Sequence, residues 1–277
     1  MSISRFISKI KYILATIVLF CTIGTQLFLN KKDSSNSPVV TTPVHTPNET
    51  LSGYLPTDDY DRPSQILYRK SYVVSYNKET KCPNWVFWEL TRAHADGDIK
   101  RPDYAFHEDL EVPAPRAELG DYKHSGYDRG HMCPAGDNKW DTDAMYESFM
   151  MTNMCPQNQN LNSGLWNQIE IQCRQWAKKY GRIFIVCGPI FMNREHKTIG
   201  ANHVFVPEAF FKVVVCLDDN PKGIGFICRN TDGNRKKDYY VNTVSQVERA
   251  TGYSFFPGID QETAEIIKEY ADLKEWK

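Results

Sequence analysis

The side chains best suited to chemistry in this 277-residue chain are concentrated between residues 101 and 170. Hydrolysis of a phosphodiester needs a base that takes a proton from water, and groups that neutralise the charge developing on phosphorus and on the departing oxygen. A neutral imidazole such as His131 can take the proton near neutral pH. A guanidinium such as Arg129 can clamp phosphate oxygens, and the oxygens of Asn162 and Glu170 suit a hard cation such as Mg²⁺. The set therefore indicates phosphodiester hydrolysis.

Each of these residues also has an ordinary structural interpretation. A single histidine is most often structural, and an asparagine before a helix is most often an N-cap. Asp128 and Arg129 could form an ion pair, and Glu170 could be a solvated helix residue. Because short motifs often match by chance, the inference depends on the ordered combination rather than on any one residue.

That combination resembles the sugar-non-specific DNA/RNA endonucleases of the endonuclease G type. The run Tyr-Asp-Arg-Gly-His-Met-x-Pro-Ala at 127–135 is similar to their DRGH signature. Thr-Asn-Met-x-Pro-Gln at 152–157 and Leu-Asn-x-Gly-x-Trp at 161–166, followed by Glu170, are similar to two further family blocks. With weaker similarities at 187–191, 205–207, 210–214 and 251–257, the resemblance covers about residues 60–260.

The resemblance implies a role for each matching residue. His131 would be the general base, and Asn162 the only direct protein ligand of a metal ion whose other positions are filled by water. The ion would be Mg²⁺, or a similar hard divalent cation such as Mn²⁺ or Ca²⁺. Glu170 would hold a metal-bound water, Arg129 would stabilise the phosphate, and Asn153 would orient the catalytic groups.

The family also has an upstream arginine that binds the transition state. Arg101, 27 residues before Asp128, is the best match in this sequence. Arg92 and Arg116 remain alternatives. The family has a small residue where Cys133 stands, two residues after the base, and we expect this thiol to be buried.

The implied fold is α+β: a ββα-metal (His-Me finger) nuclease fold with a central mixed or antiparallel sheet flanked by helices. Periodicity independently predicts a helix over Leu165–Tyr180, because its apolar residues recur at spacings of three and four and Gly181 follows. Short apolar or aromatic runs predict strands at Ser71–Ser75, Asn84–Leu90, Arg182–Cys187, Phe210–Leu217 and Gly223–Cys228.

The N-terminal part of the chain predicts export. Residues 1–12 are basic, and residues 13–29 are an uncharged, mostly apolar run typical of a signal peptide or an uncleaved membrane anchor. Residues 30–57 are rich in Ser, Thr, Pro and Asn and predict a flexible linker. The endonuclease domain is then expected over residues 58–277, in an extracytoplasmic location: periplasmic, secreted, or anchored to the membrane by residues 13–29.

Charge and cysteine content constrain the function further. The first 32 residues contain five basic residues and no acidic one, so the remaining 28 basic and 34 acidic residues give a net charge of −6. A nucleic-acid-binding surface on such a chain must be a local basic cluster. Seven of the eight cysteines lie after the apolar run, and none has the spacing of a zinc site.

These observations predict a metal-dependent endonuclease that acts on DNA and RNA with little sequence specificity. Two alternatives stay open: a catalytically silent module of the same fold that binds or takes up nucleic acid, and a phosphodiesterase acting on another phosphate ester. The expected partners are DNA and RNA, and the membrane if the N-terminal segment is retained. The oligomeric state is left open, with a homodimer as one alternative.

Overall fold

The computed structural model describes residues 49–101, 104–233 and 235–277. The predictions for residues 1–12 and 13–29 lie outside the described residues, as does most of the linker. The helices are α1 (Glu49–Ser52), α2 (Leu119–Tyr122), α3 (Thr142–Ser148), α4 (Gln159–Leu161), α5 (Asn167–Tyr180), α6 (Val244–Thr251) and α7 (Gln261–Glu269). The strands are β1 (Thr57–Asp58), β2 (Gln65–Tyr68), β3 (Val73–Asn77), β4 (Cys82–Thr91), β5 (Asp128–His131), β6 (Met154–Gln157), β7 (Arg182–Ile190), β8 (Thr198–Ile199), β9 (Val204–Phe205), β10 (Ala209–Cys216), β11 (Lys222–Arg229), β12 (Val241–Asn242) and β13 (Tyr253–Ser254).

A seven-stranded sheet in the order β12-β11-β10-β7-β4-β3-β2 forms the centre of the fold. Every neighbouring pair in it is antiparallel. Its central strands β4, β7 and β10 are buried on both faces, which explains why they read as continuous apolar runs rather than alternating ones. The α+β fold with a central sheet is confirmed, and the pairing of this sheet is antiparallel throughout.

Side chains alternate between two cores on opposite faces of this sheet. In β10, Phe210 and Val214 belong to one core, whereas Phe211 and Val213 belong to the other. Helix α5 contributes Ile169, Cys173, Trp176 and Ala177 to the first core. Helices α6 and α7 cover the second core with Val244, Val247 and Ile267. Burying a Val or Ile side chain of this set contributes roughly 1.5–3 kcal/mol. The sheet therefore lies between two helical layers that pack against its opposite faces.

A separate two-stranded hairpin lies on the first face of the sheet. Strands β5 and β6 pair antiparallel, with His131 opposite Met154 and Asp128 opposite Gln157. The chain then passes through α4 and a wide π-helical turn at Asn162–Trp166, whose backbone leaves helical geometry at Gly164, before it enters α5. Gly181, at φ 86°, ends that helix. This strand–strand–helix unit positions the residues singled out above.

Three apolar residues before β1 pack against the folded domain. Leu51, Tyr54 and Leu55 pack against the second core, and the Tyr54 ring lies 5.2 Å from that of Phe184. Side chains before residue 58 therefore pack against the same core as the residues that follow it. The average composition of residues 30–57 is polar, so it does not reveal these three apolar side chains. Their packing holds the end of this segment against the second core.

All seven cysteines of the described residues are free and buried, at Cys82, Cys133, Cys155, Cys173, Cys187, Cys216 and Cys228. The expectation that Cys133 is buried is confirmed, since this residue is fully inaccessible. These thiols act as small apolar groups, and all seven belong to the first core.

Candidate active site

A cleft of about 450 Å³ opens beside the hairpin and the start of α5. Its lining is polar and predominantly basic where it is charged. The lining residues are Arg101, His131, Pro134, Ala135, Gly136, Lys139, Asn162, Ser163, Asn167, Glu170 and Arg174. Four of the residues predicted from the sequence, namely Arg101, His131, Asn162 and Glu170, therefore meet in one cavity.

His131, the last residue of β5, is a neutral imidazole at physiological pH. Its side chain lies beside the rings of Phe106 and Phe149, at centroid distances of 5.4 and 5.2 Å. Burial, together with the positive charges of Arg101 and Arg129, lowers the pKa of His131 to about 3. Its Nε2 atom has no hydrogen-bond partner among the described residues. The ring is thus unprotonated and able to accept a proton.

Asn162 is oriented by a carboxylate from the hairpin. Its amide nitrogen donates a hydrogen bond to Oδ2 of Asp128 at 2.9 Å. Because this bond uses the nitrogen, the amide oxygen is the atom left to face a cation. Asp128 therefore has a function that sequence reasoning did not assign to it, and the ion pair considered between Asp128 and Arg129 is not among the contacts of the described residues.

Asn153 lies outside the cleft lining and is fully buried beneath the base. Its Oδ1 accepts a hydrogen bond from the Cys133 backbone nitrogen at 2.9 Å, and its Nδ2 donates to the Cys133 and Ser148 carbonyl oxygens at 2.8 and 2.9 Å. These bonds fix the segment that follows His131. Asn153 can thus orient the base without contacting a substrate.

The candidate arginines occupy different environments. Arg101 lines the cleft, with its guanidinium 5.7 Å from the ring centroid of Phe149. Arg129 is exposed, and its guanidinium lies 4.5 Å from the ring centroid of Phe106, which also contacts His131. Of the two alternatives to Arg101, Arg92 donates to the carbonyl oxygens of Lys178 and Lys179 at the end of α5. The other, Arg116, pairs with Glu108 at 2.9 Å, and neither lines the cleft.

Glu170 is half-buried on the first turn of α5 and lines the cleft. Burial raises the pKa of its carboxyl group to about 7, although the positive charge of Lys212 opposes this rise. A carboxyl group with this pKa is only partly ionised near neutrality. A cation bound nearby would favour its ionised form.

Sequence reasoning missed a charged layer beneath the cleft. Lys212 of β10 is completely buried, its Nζ lies 4.4 Å from the ring centroid of Trp166, and that nitrogen has no hydrogen-bond partner among the described residues. Arg174 pairs with buried Asp137 at 2.8 Å, and the indole of Trp88 donates to the same carboxylate. A lysine inside the otherwise apolar run of β10 is the signal that could have revealed this layer, since lysine is almost never fully buried.

In the described part of the chain, no group of three or more His, Cys, Asp or Glu side chains could hold a metal ion. A cation in this cleft would therefore depend on few protein oxygens and mainly on water. Mg²⁺ tolerates such a site because it retains much of its hydration shell.

Comparison with known proteins identifies the family of this chain. Residues 54–262 match the family described as DNA/RNA non-specific endonuclease. The chain is 32% identical over 227 residues to mitochondrial nuclease EXOG of Xenopus laevis, which covers 75% of this chain and 63% of that protein. It is 32% identical over 210 residues to mitochondrial endonuclease G of Bos taurus, covering 71% of this chain and 70% of that protein.

A solved structure has the same fold. A chain in the crystal structure of the EndoG/EndoGI complex, which concerns the mechanism of EndoG inhibition, superimposes with a TM-score of 0.71. The two chains are 27% identical, and the match covers 82% of this chain and 98% of the other.

The location predicted from the sequence is wrong by this comparison. Residues 13–29 predict a periplasmic, secreted or membrane-anchored protein, whereas the similar nucleases from Xenopus laevis, Bos taurus and Homo sapiens are all named as mitochondrial. Within residues 49–101, 104–233 and 235–277, no helix has the length and apolar character needed to cross a bilayer. A basic segment followed by an apolar one does not by itself identify the compartment.

The family is established by two independent measures, one of sequence and one of structure. The family match spans well over half of the chain, and the cleft residues lie within it. The chain therefore belongs to the DNA/RNA non-specific endonuclease family, whose members are nucleases, that is, hydrolases acting on nucleic acids.

Proposed function

We propose that this chain is a metal-dependent endonuclease that hydrolyses phosphodiester bonds of DNA and RNA with little sequence specificity. The observation that carries the proposal is the convergence of an unprotonated histidine, an oriented amide, a carboxyl group and an arginine on one cleft. The names of the relatives, which are nucleases of animals, a fungus and a cyanobacterium, support the same class of substrate.

His131 acts as the general base in this proposal. Its Nε2 accepts a proton from the attacking water, which needs an unprotonated ring. A phosphodiester anion held beside Arg101 and Arg129 offsets the positive charges that lower the pKa of His131. The ring thus becomes a stronger base when substrate is bound than in the free protein.

The donor set of the cleft fits a hard divalent cation, with Mg²⁺ as the first choice and Mn²⁺ or Ca²⁺ as substitutes. The Asn162 amide oxygen is left free by the hydrogen bond to Asp128, and Glu170 adds a carboxylate on the next turn. When bound, the cation supplies positive charge that stabilises the developing negative charge on the phosphate and on the departing oxygen. Because Asn162 is a neutral ligand and water would fill the other coordination positions, we expect the cation to bind weakly and to exchange.

Arginine side chains complete the site. Arg101 lines the cleft, and Arg129 lies on the exposed face of β5, two residues before the base. Guanidinium groups pair with phosphate oxygens in fixed geometry, so these two residues hold the scissile group against His131. Asn153 holds the segment after the base in place.

The test is digestion of plasmid DNA and of an RNA transcript by the full chain, with Mg²⁺, with EDTA, and with EDTA followed by excess Mg²⁺. We expect cleavage of both substrates, its loss in EDTA and its recovery on adding the ion. His131→Ala should reduce the rate roughly 10²–10⁴-fold. Nucleic-acid binding without cleavage would favour the silent module, and hydrolysis of small phosphodiesters alone would favour the phosphodiesterase alternative.

A further inference from the structure

A second cavity of about 440 Å³ opens at the end of the hairpin opposite to His131. It has no part in the mechanism proposed above. Its lining includes Tyr127, Lys197, Glu208, Arg229 and Asn230. We refer to it as the Tyr127 cavity.

The Tyr127 cavity is in line with the catalytic strand. Tyr127 precedes β5 by one residue, and strand alternation directs residues 127, 129 and 131 to the same face. Arg129 and His131 both contact Phe106, which agrees with a shared face. At about 3.3 Å per residue, Tyr127 lies roughly 13 Å along the strand from His131. That distance corresponds to about four nucleotides along one strand of a duplex, and to fewer in a stretched single strand.

The cavity combines an aromatic ring with positive charge. The Lys197 ammonium lies 4.8 Å from the Tyr127 ring centroid and 3.4 Å from its hydroxyl oxygen, and Arg229 also lines the cavity. Both cationic side chains are exposed, so they can turn towards a phosphate. Rings and cations of this kind are the two elements by which proteins bind unpaired nucleotides.

The remainder of the cavity is fixed by hydrogen bonds, and its lining carries two cations, Lys197 and Arg229, against one carboxylate, that of Glu208. The carboxylate of Glu208 already accepts hydrogen bonds from the Met192 nitrogen, Asn193 Nδ2 and His196 Nδ1, at 2.9–3.1 Å. Asn230 donates to the Pro156 and Pro207 carbonyl oxygens and accepts from the Asn158 nitrogen. These bonds tie the floor of the cavity to the hairpin and to the start of α4.

We propose that the Tyr127 cavity is a binding subsite for an unpaired nucleotide of the substrate strand, a few positions away from the cleaved bond. The base stacks on Tyr127, and the adjoining phosphate is held by Lys197 and Arg229. This inference rests on the proposed nuclease function, and it predicts that single-stranded substrates gain more from this subsite than duplexes do, because a stacked and paired base cannot reach the ring.

The test compares two substrates of the full chain in Mg²⁺. One is a single-stranded oligonucleotide of about 20 nucleotides, and the other is a nitrophenyl phosphodiester of thymidine that has no flanking nucleotides. Tyr127→Leu keeps an apolar side chain of similar size but removes the ring. We expect it to lower the ratio of kcat/KM values, oligonucleotide over minimal substrate, roughly 5- to 100-fold, mainly through KM, with Tyr127→Phe restoring the wild-type ratio.

The matched control is Tyr60→Leu. Tyr60 also has a cation over its ring, Arg62 at 4.8 Å, but it is exposed and adjoins the small β1–β13 sheet on the second core. An unchanged ratio for Tyr127→Leu, or equal losses on both substrates, would overturn the subsite. Wild-type protein that cleaves neither substrate would instead overturn the proposed function. Fluorescence anisotropy of the oligonucleotide in EDTA, compared between wild type and Tyr127→Leu, then tests the subsite without catalysis.

Discussion

At the scale of single residues, the burial of His131 makes the stability of the fold depend on pH. The pKa of this histidine falls from 6.5 to about 3 on folding, so the unfolded chain binds more protons between these values. Stability conferred by the unprotonated ring is therefore present above pH 6.5 and is lost as the pH falls through this window. At pH 5 the loss is up to about 2 kcal/mol, and His131→Gln should not show it.

Urea denaturation at pH 5 and pH 7 checks this prediction. Glu170→Gln serves as a control of opposite sign, because the pKa of Glu170 is raised from 4.5 to about 7 on folding. The stability linked to Glu170 is present below pH 4.5 and is lost as the pH rises through 7. Relative to wild type, Glu170→Gln should therefore be more stable at pH 7 than at pH 5. Identical pH dependence in wild type and His131→Gln would contradict the prediction.

Asp128 supplies a second prediction at this scale. Its carboxylate can only accept a hydrogen bond, and it thereby directs the oxygen of Asn162 towards the cleft. Asp128→Asn can donate as well as accept, so the Asn162 amide loses its fixed orientation. We expect cleavage to fall roughly 10- to 100-fold, with partial recovery at high Mg²⁺. Asn162→Ala should not recover at any Mg²⁺ concentration, and equal recovery in both variants would show that Asp128 does not orient the ligand.

At the scale of elements, the hairpin leaves no room for a side chain at its third residue. A Cβ atom on Gly130 would lie 2.3 Å from Oε1 and 2.6 Å from Cβ of Gln157, which is itself fully buried. Gly130→Ala must push the two strands apart beside the base. We expect the free energy of unfolding to fall by about 1–3 kcal/mol. We also expect the cleavage activity to fall by more than the fraction of folded protein does.

Gly120→Ala is the matched control for the hairpin prediction, since nothing lies within 4 Å of its added Cβ. Thermal unfolding and plasmid cleavage measured side by side distinguish the two variants. If Gly130→Ala were as stable and as active as Gly120→Ala, the strands would be more adaptable than their packing indicates.

The same elements show what the sequence could and could not predict. The central strands were predictable because burial on both faces makes them continuously apolar, and α5 was predictable from the three- and four-residue spacing of Ile169, Cys173 and Trp176. The positions of Asn162 and Glu170 could not be predicted from ideal helical angles, because the wide turn at Gly164 interrupts the helix between them. Such a break depends on tertiary packing rather than on local periodicity.

Contacts between segments that are distant in the chain could likewise not be predicted from the sequence. Lys212 lies beneath Glu170 only because β10 is central in the sheet and α5 crosses the same face. Arg101 lines the cleft, whereas Arg92 and Arg116 are used elsewhere, and nothing in their spacing from Asp128 distinguishes the three.

At the scale of the whole molecule, binding of a polyanion must overcome the net charge of −6 after residue 32. Affinity should therefore come from local cations and fall with salt in proportion to the number of phosphates that they contact. Lys139 is exposed at the rim of the cleft. We expect Lys139→Ala to weaken oligonucleotide binding and to reduce the slope of log affinity against log salt by about 0.7–0.9, the value for one phosphate contact.

Anisotropy titrations in EDTA over a range of salt concentrations measure that slope. Lys78→Ala is the control, because Lys78 is exposed in the turn after β3 and does not line the cleft. A reduced affinity with an unchanged slope for Lys139→Ala would indicate that the lysine contacts something other than a phosphate.

The seven buried thiols of the described residues can report how often the folded domain opens. None of them is accessible to a water-soluble disulfide reagent until the segment around it opens, and they are distributed over strands β4, β6, β7, β10 and β11, helix α5 and the segment after β5. Their labelling kinetics, measured in a Cys21→Ser background, therefore record the lifetime of the closed state without any added probe. All seven belong to the first core, so a single slow phase would mean that this core opens as one unit. Two phases would mean that the elements that carry the thiols open separately.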